Sequence, residues 1–237
     1  MPSHYPASTF DIFNVYFERI YDPSMHVVFT LNGRIDADAM KRATTRLVAS
    51  NPYLRSRFSD EGEGTPVWEE IPEDEWGRAF FFTQNRESMN LPPPPLDLRA
   101  GPQIRVSLYR RREEDEVIIT CHHGFCDAAG AMALAQQMFA AYRGVMGDPD
   151  FEPALIGSYD RSTGPILKLY SDKDQNLALA EEEPFIDRWS FPAERMGRGV
   201  PRIARRTLAS ERLRRIKEFG YEHGATVNDI LIAAFFL

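Results

Sequence analysis

A chain of 237 residues with 43% hydrophobic and 27% charged side chains has the balance of a soluble globular protein able to bury a sizeable core, which excludes disordered, fibrous and disulfide-built classes. Its formal net charge of −7, with a pI near 5.3, argues against general nucleic-acid binding, because neutralising phosphates takes a basic face. Apolar runs such as residues 230–237 fall far short of the roughly 18 residues of a membrane span, the start MPSHY lacks a basic-then-apolar leader pattern, and two cysteines, Cys121 and Cys126, build no disulfide framework. A cytoplasmic, reducing location is therefore expected.

In chain order, residues 26–33, HVVFTLNG, carry apolar side chains on both faces before a turn and read as a buried strand. Asp36 caps a helix in which Met40, Ala43, Thr44 and Leu47 recur at helical spacing, and Asn51-Pro52 ends it. Residues 53–58, YLRSRF, alternate and lead through a Gly-rich acidic turn to Pro66, Val67 and Trp68, which suggests a hairpin. An irregular stretch follows, with Pro92 to Pro95 extended. Residues 104–109 and 117–123 read as an antiparallel pair across the charged turn RRREED. The second strand is interior, with Val117, Ile119, Cys121 and His123 on one face and Ile118, Thr120 and His122 on the other.

From about Asp127 a helix begins, with the apolar stripe Ala131, Leu134, Ala135, Met138 and Tyr142, and Gly144, Gly147 and Pro149 stop it. Residues 148–202 mix Pro, Gly and charge as a long, partly irregular connection. Residues 203–209 read as a strand, followed by a helix capped by Ser210 with Leu213, Ile216 and Phe219 inside. Thr226 and Asp229 then make a capping box for a last helix. That helix is apolar all round through Ile230, Leu231, Ile232, Phe235, Phe236 and Leu237, so the preceding domain, another half of the protein or another chain is expected to cover it. An acidic run over residues 61–75 and a basic run over residues 195–217 read as solvated faces; the basic run alternatively docks an acidic carrier protein or a phosphate.

The stretch CHHGFCDAAGAMAL, residues 121–134, concentrates the reactive side chains. A metal site could draw on Cys121, His123, Cys126 and Asp127, yet the CxxC pairs that mark zinc sites are missing, so no metal is expected. A Cys126 nucleophile activated by His123 has no evident orienting partner or oxyanion hole. Two core histidines satisfied by hydrogen bonds are the bland alternative. The remaining reading makes His123 a general base, worth roughly 10² to 10⁴-fold in rate, with Asp127 folded back to support the turn at a helix N-terminus that tolerates its charge. Gly124 would supply an unusual backbone angle there.

HHGFCDA, residues 122–128, also resembles the HHxxxDG motif of the condensation-domain and chloramphenicol-acetyltransferase-like acyltransferase superfamily. RLVASNPYLRSRF at 46–58 is similar to that family's segment ending in LRTRF, LDLRAGPQIRVSLY at 96–109 to its DLxxGPxxR segment, and ATVNDILIAA at 225–234 to the helix opening its second half. The resemblance implies an α/β fold, an α+β two-layer sandwich with a mixed, largely antiparallel sheet and helices packed on it. It implies residues 1–224 as an N-terminal subdomain and 225–237 as the first helix of an absent C-terminal one. It further implies that His123 is catalytic, that His122 is a structural neighbour, and that Asp127 pairs with an arginine. Arg55 and Arg57 lie in a matching segment on alternating faces, so at most one points inward. Ala128 replaces the motif glycine, with Gly130 close behind.

The implied activity is acyl transfer from a thioester of coenzyme A or a carrier protein to an alcohol or amine, with no permanently bound cofactor. Because only the family's first half is covered, the expected partners include a carrier protein and a second half-chain or second copy covering residues 225–237. The competing class is a condensation-like binding or assembly module without turnover.

Overall fold

The computed structural model describes residues 3–61, 64–84, 93–112, 114–155, 164–171 and 206–236. They fall in two compact units, Met1–Pro201 and Arg202–Leu237. In chain order the first holds β1 (His4–Pro6), α1 (Thr9–Tyr16), β2 (Ser24–Asn32), α2 (Ala37–Ser50), β3 (Ser56–Ser59), β4 (Val67–Glu70), β5 (Phe80–Gln84), β6 (Ile104–Arg110), β7 (Glu114–His122), α3 (Ala128–Gly147) and the short α4 (Gly164–Leu167). The second holds α5 (Ser210–Glu222) and α6 (Val227–Phe235).

β7 carries the β-branched run Val117, Ile118, Ile119 and Thr120, and it pairs antiparallel with β6 at the centre of a four-stranded sheet, β2-β7-β6-β5. β2 joins β7 antiparallel and β5 joins β6 parallel, so the sheet is mixed and largely antiparallel. α2 and α3 lie on one face. Their helical stripes, Met40, Ala43 and Leu47 with Leu134, Ala135 and Met138, bury against Val106, Leu108, Val117, Ile119 and Cys121. Each large apolar side chain so buried contributes about 1.5–3 kcal/mol before entropy is counted. A smaller antiparallel sheet, β1-β4-β3, carries a second cluster built on Phe58, Trp68, Tyr53, Val15 and Leu98.

The two layers and the hairpins follow the sequence pattern; several elements do not. β2 is a half-buried edge strand, because β7 is its one neighbour among the described residues. β1, α1 and β5 lie in stretches without clean alternation. β5 has an all-aromatic start, FFFTQ, and it pairs parallel to β6, which needs a crossover that no local pattern announces. Of residues 203–209, the described part, 206–209, is not strand. α5 is capped by Ala209 without a side-chain bond rather than by Ser210, and Leu213, Ile216 and Phe219 are not buried in it. α3 runs through Gly144 to Gly147. A Cβ at Gly144 would stand 2.4 Å from the Phe151 ring, so this glycine serves packing rather than termination.

The capping box of Thr226 and Asp229 forms as read. Among the described residues of its own unit nothing buries α6, and Phe235 is 72% exposed. Residues 225–236, the expected first helix of a C-terminal subdomain, lie with α5 in the second unit. Among the described residues no helix is long and apolar enough to cross a membrane.

The β6–β7 hairpin is clamped by a buried carboxylate. Asp115, with no exposure, accepts hydrogen bonds from Arg34 Nη1 at 2.9 Å, Arg110 Nη2 at 3.2 Å and the Ile35 N–H at 2.8 Å. Burial acts to raise its pKa, but these donors and the Arg110 charge outweigh it and hold the carboxyl below the ordinary value of 3.8. A depressed carboxyl stabilises the fold above its unfolded pKa and loses that contribution as pH falls through the folded value. Asp115→Asn should therefore cost about 3 kcal/mol in urea unfolding at neutral pH. The gap from the unsubstituted protein should shrink below about pH 4; a constant gap would contradict the assignment.

Candidate functional site

β7 delivers the chain to His122, which pairs with Ser24 as the last rung of the β2–β7 ladder. The next residue leaves the sheet. β2 begins at Ser24, and the preceding Pro23 has only a carbonyl to offer, so the His123 N–H turns to Pro23 O at 3.0 Å. His123 therefore lies in the turn rather than in the strand, whose last residue is His122.

His122 is 1% exposed and organises the turn. Its Nδ1 accepts the Gly124 N–H at 2.9 Å, which puts the ring proton on Nε2. Its carbonyl accepts the N–H groups of Phe125 at 2.9 Å and Cys126 at 3.4 Å. Nε2 stands 3.4 Å from Glu18 Oε1, and the other oxygen of Glu18 lies 3.8 Å from Arg99 Nη1. Arg99 in turn donates to Asp60 at 2.8 Å, which keeps the Asp60 carboxyl below its usual range. Phe125 packs against both apolar clusters and so pins the turn between the two sheets.

Gly124 is not among the positive-φ glycines of the described residues, which are Gly33, Gly64, Gly101 and Gly224. It is required by close approach instead: a Cβ there would meet His122 Nδ1 at 3.0 Å and the carbonyl oxygen of Asp11 at 3.3 Å.

His123 is part-exposed. Its ring sits 5.8 Å from the ring of Phe10, itself 52% exposed, on α1. Its Nδ1 is buried with no hydrogen-bond partner among the described residues. Packing and the backbone bond to Pro23 hold this imidazole, and no carboxylate among the described residues orients it there.

Asp127 is the N-cap of α3, accepting the Gly130 N–H at 2.8 Å. It is exposed and forms no ion pair among the described residues. Neither candidate arginine reaches it: Arg55 pairs with Glu70 at 3.2 Å and Arg57 with Glu69 at 2.9 Å. Opposed carboxylates on β4 capture both cations locally. Ala128 is exposed in the first turn of α3, whereas a Cβ at Gly130 would come within 2.8 Å of Cys126 Cβ. The tight packing thus falls at Gly130, two residues beyond the motif position. The Cys126 thiol contacts Cys121 Sγ at 3.5 Å, and no group of three His, Cys, Asp or Glu residues is gathered for a metal among the described residues.

Phe10, Glu18 and Phe125 carry no sequence signal of a site. Nothing local ties Glu18 to a histidine more than a hundred positions away.

The fold is chloramphenicol-acetyltransferase-like. The first condensation domain of the calcium-dependent antibiotic synthetase, solved with substrate analogue 2a, matches 98% of this chain and 59% of its own with a TM-score of 0.70 at 16% identity. Within that class the chain belongs to the condensation-domain family, whose description, Condensation domain, matches residues 12–153. The chondramide synthase cmdD of Chondromyces crocatus is 30% identical over 129 residues, 49% of this chain and 3% of its own length. The phthiocerol/phthiodiolone dimycocerosyl transferase of Mycobacterium tuberculosis (strain ATCC 25618 / H37Rv) is 22% identical over 230 residues, 92% of this chain and 54% of its own. The chain therefore spans only part of the relatives it matches.

Two substitutions check the turn. Asp127→Ala should lower stability by about 1 kcal/mol through the lost cap, and Asp127→Ser should recover most of it. Gly124→Ala should cost about 1–3 kcal/mol by crowding His122 and Asp11. Chemical denaturation reads both, and an unchanged midpoint in Gly124→Ala would contradict the close-approach account.

Proposed function

We propose that this chain supplies the base-bearing part of an acyl-transfer site. His123 Nε2 takes the proton from an alcohol or amine as that group attacks the carbonyl of an acyl thioester carried by coenzyme A or a carrier protein. The carbonyl carbon gains the new C–O or C–N bond, the C–S bond breaks, and the thiolate leaves to be protonated. No covalent enzyme intermediate is required.

One observation carries the reading: in a condensation-family chain, the second histidine of HHGFCDA stands part-exposed at the end of the central strand. Its backbone is fixed by Pro23 and its Nδ1 is buried, which leaves Nε2 for a substrate. His122 cannot share that role, since Nδ1 is engaged by Gly124 and the whole ring is buried. The names of relatives, a dimycocerosyl transferase and a condensation domain holding a substrate analogue, support an acyl group as cargo. The surrounding wall that excludes water from such a reaction is expected from sequence or a partner beyond this chain.

A second reading, a binding or assembly module without turnover, draws on Asp127, which caps a helix where the family resemblance implies an arginine pair. Acyl transfer in the natural full chain, assayed over a panel of acyl-CoA and carrier-bound thioesters, separates the two. His123→Ala should lose roughly 10² to 10⁴-fold in rate with unfolding unchanged. Equal rates in the two proteins would sink the base assignment, and no transfer from any donor would favour the binding module.

A further inference from the structure

Cys121 and Cys126 are the only cysteines in the chain, and they bracket the paired histidines. Cys121 is the penultimate residue of β7, fully buried against the layer of α2 and α3; Cys126 is part-exposed, just before the cap of α3. The turn folds their Sγ atoms to within 3.5 Å. That approach depends on Gly130, because a side chain there would stand 2.8 Å from Cys126 Cβ and push it away. Contact with Cys126, reinforced by burial, pushes the Cys121 thiol up, so Cys121 stays protonated at neutral pH. An oxidant arriving from solvent thus meets Cys126 first.

We propose that Cys121 and Cys126 form a reversible dithiol site, which a peroxide converts to an intrachain disulfide closing the turn that carries His122 and His123. The Cys126 sulfur, as thiolate, attacks one peroxide oxygen; the O–O bond breaks and Cys126 becomes a sulfenic acid. The Cys121 sulfur then gives up its proton and attacks the Cys126 sulfur, forming the S–S bond as the S–O bond breaks and water leaves. Two thiols and one hydrogen peroxide yield one disulfide and two waters, and a dithiol reductant reverses the change.

Closing the pair draws the sulfurs from 3.5 Å to about 2 Å. The Cys126 and Phe125 N–H groups both rest on His122 O, and the Gly124 N–H on His122 Nδ1, so moving Cys126 toward β7 pulls on the bonds that shape the turn. Any effect on acyl transfer rests on the assignment of His123 as base; the disulfide does not.

The test treats the reduced protein with hydrogen peroxide, denatures it, alkylates remaining thiols and measures intact mass, with hydrogen exchange of residues 121–130 followed in parallel. Both alkylatable thiols should disappear with loss of two hydrogens and no dimer, dithiothreitol should restore them, and exchange in the turn should change. Cys126→Ser should keep its single thiol, and Cys121→Ala should gain oxygen at Cys126 instead; if the latter fails to fold, Cys126→Ser carries the control. Oxygen added to Cys126 in the unsubstituted protein while Cys121 stays alkylatable, a disulfide-linked dimer, or a disulfide that leaves exchange unchanged would each overturn the proposal. None of these readouts requires turnover, so they stand apart from the fate of the base assignment.

Discussion

The hydrogen bond from the Gly124 N–H to His122 Nδ1 is the constraint on which the site depends. It forms only because β7 ends where β2 begins, with His122 opposite Ser24 and Pro23 unable to donate another rung. The chain must then turn, and the buried imidazole supplies the acceptor that the turn needs. Phe125 fixes the result by packing on both apolar clusters, and the small contacts at Gly124 and Gly130 allow α1 and Cys126 to close in. Burial alone would not specify this arrangement. The bond from the buried Gly124 N–H to Nδ1 does so, because a slip would leave that donor and acceptor orphaned.

The carboxylates near the turn are committed to architecture. Asp11, with no exposure, closes a capping box with Ser8 and accepts the Trp68 indole N–H at 3.0 Å, which seats α1 on the smaller sheet. Asp127 caps α3, and Glu18 stands between His122 and Arg99. None of them orients His123 among the described residues. The base proposed at this position would, among the described residues, act without a carboxylate on Nδ1, held by its backbone and by Phe10. This matches the chemistry proposed for it: proton removal from an acceptor demands a placed imidazole, not an activated nucleophile on the protein.

The legible parts of this molecule are those with a repeating physical signal. The stripes of α2 and α3, the interior strands β6 and β7, and the caps at Asp36 and Thr226 all appear where the pattern puts them. The histidine motif locates the turn and the class of protein. What stays hidden depends on distant parts of the chain meeting in space. The register that ejects His123 from β7 is set by Pro23, a hundred residues earlier, and the parallel partner of β6 is a short aromatic strand with no alternation. Gly124 reads as the source of an unusual backbone angle when its role is to make room, a distinction that only the neighbouring atoms reveal. Resemblance assigns Asp127 an arginine, and the local carboxylates on β4 hold the two candidates instead.

Chemical rescue tests most directly the proposal that His123 acts through proton transfer. In His123→Gly, added imidazole should restore acyl transfer in proportion to its concentration, and the restored rate should follow the fraction of imidazole in its basic form as pH is varied. A residual rate that imidazole leaves unchanged at every pH would contradict the central claim.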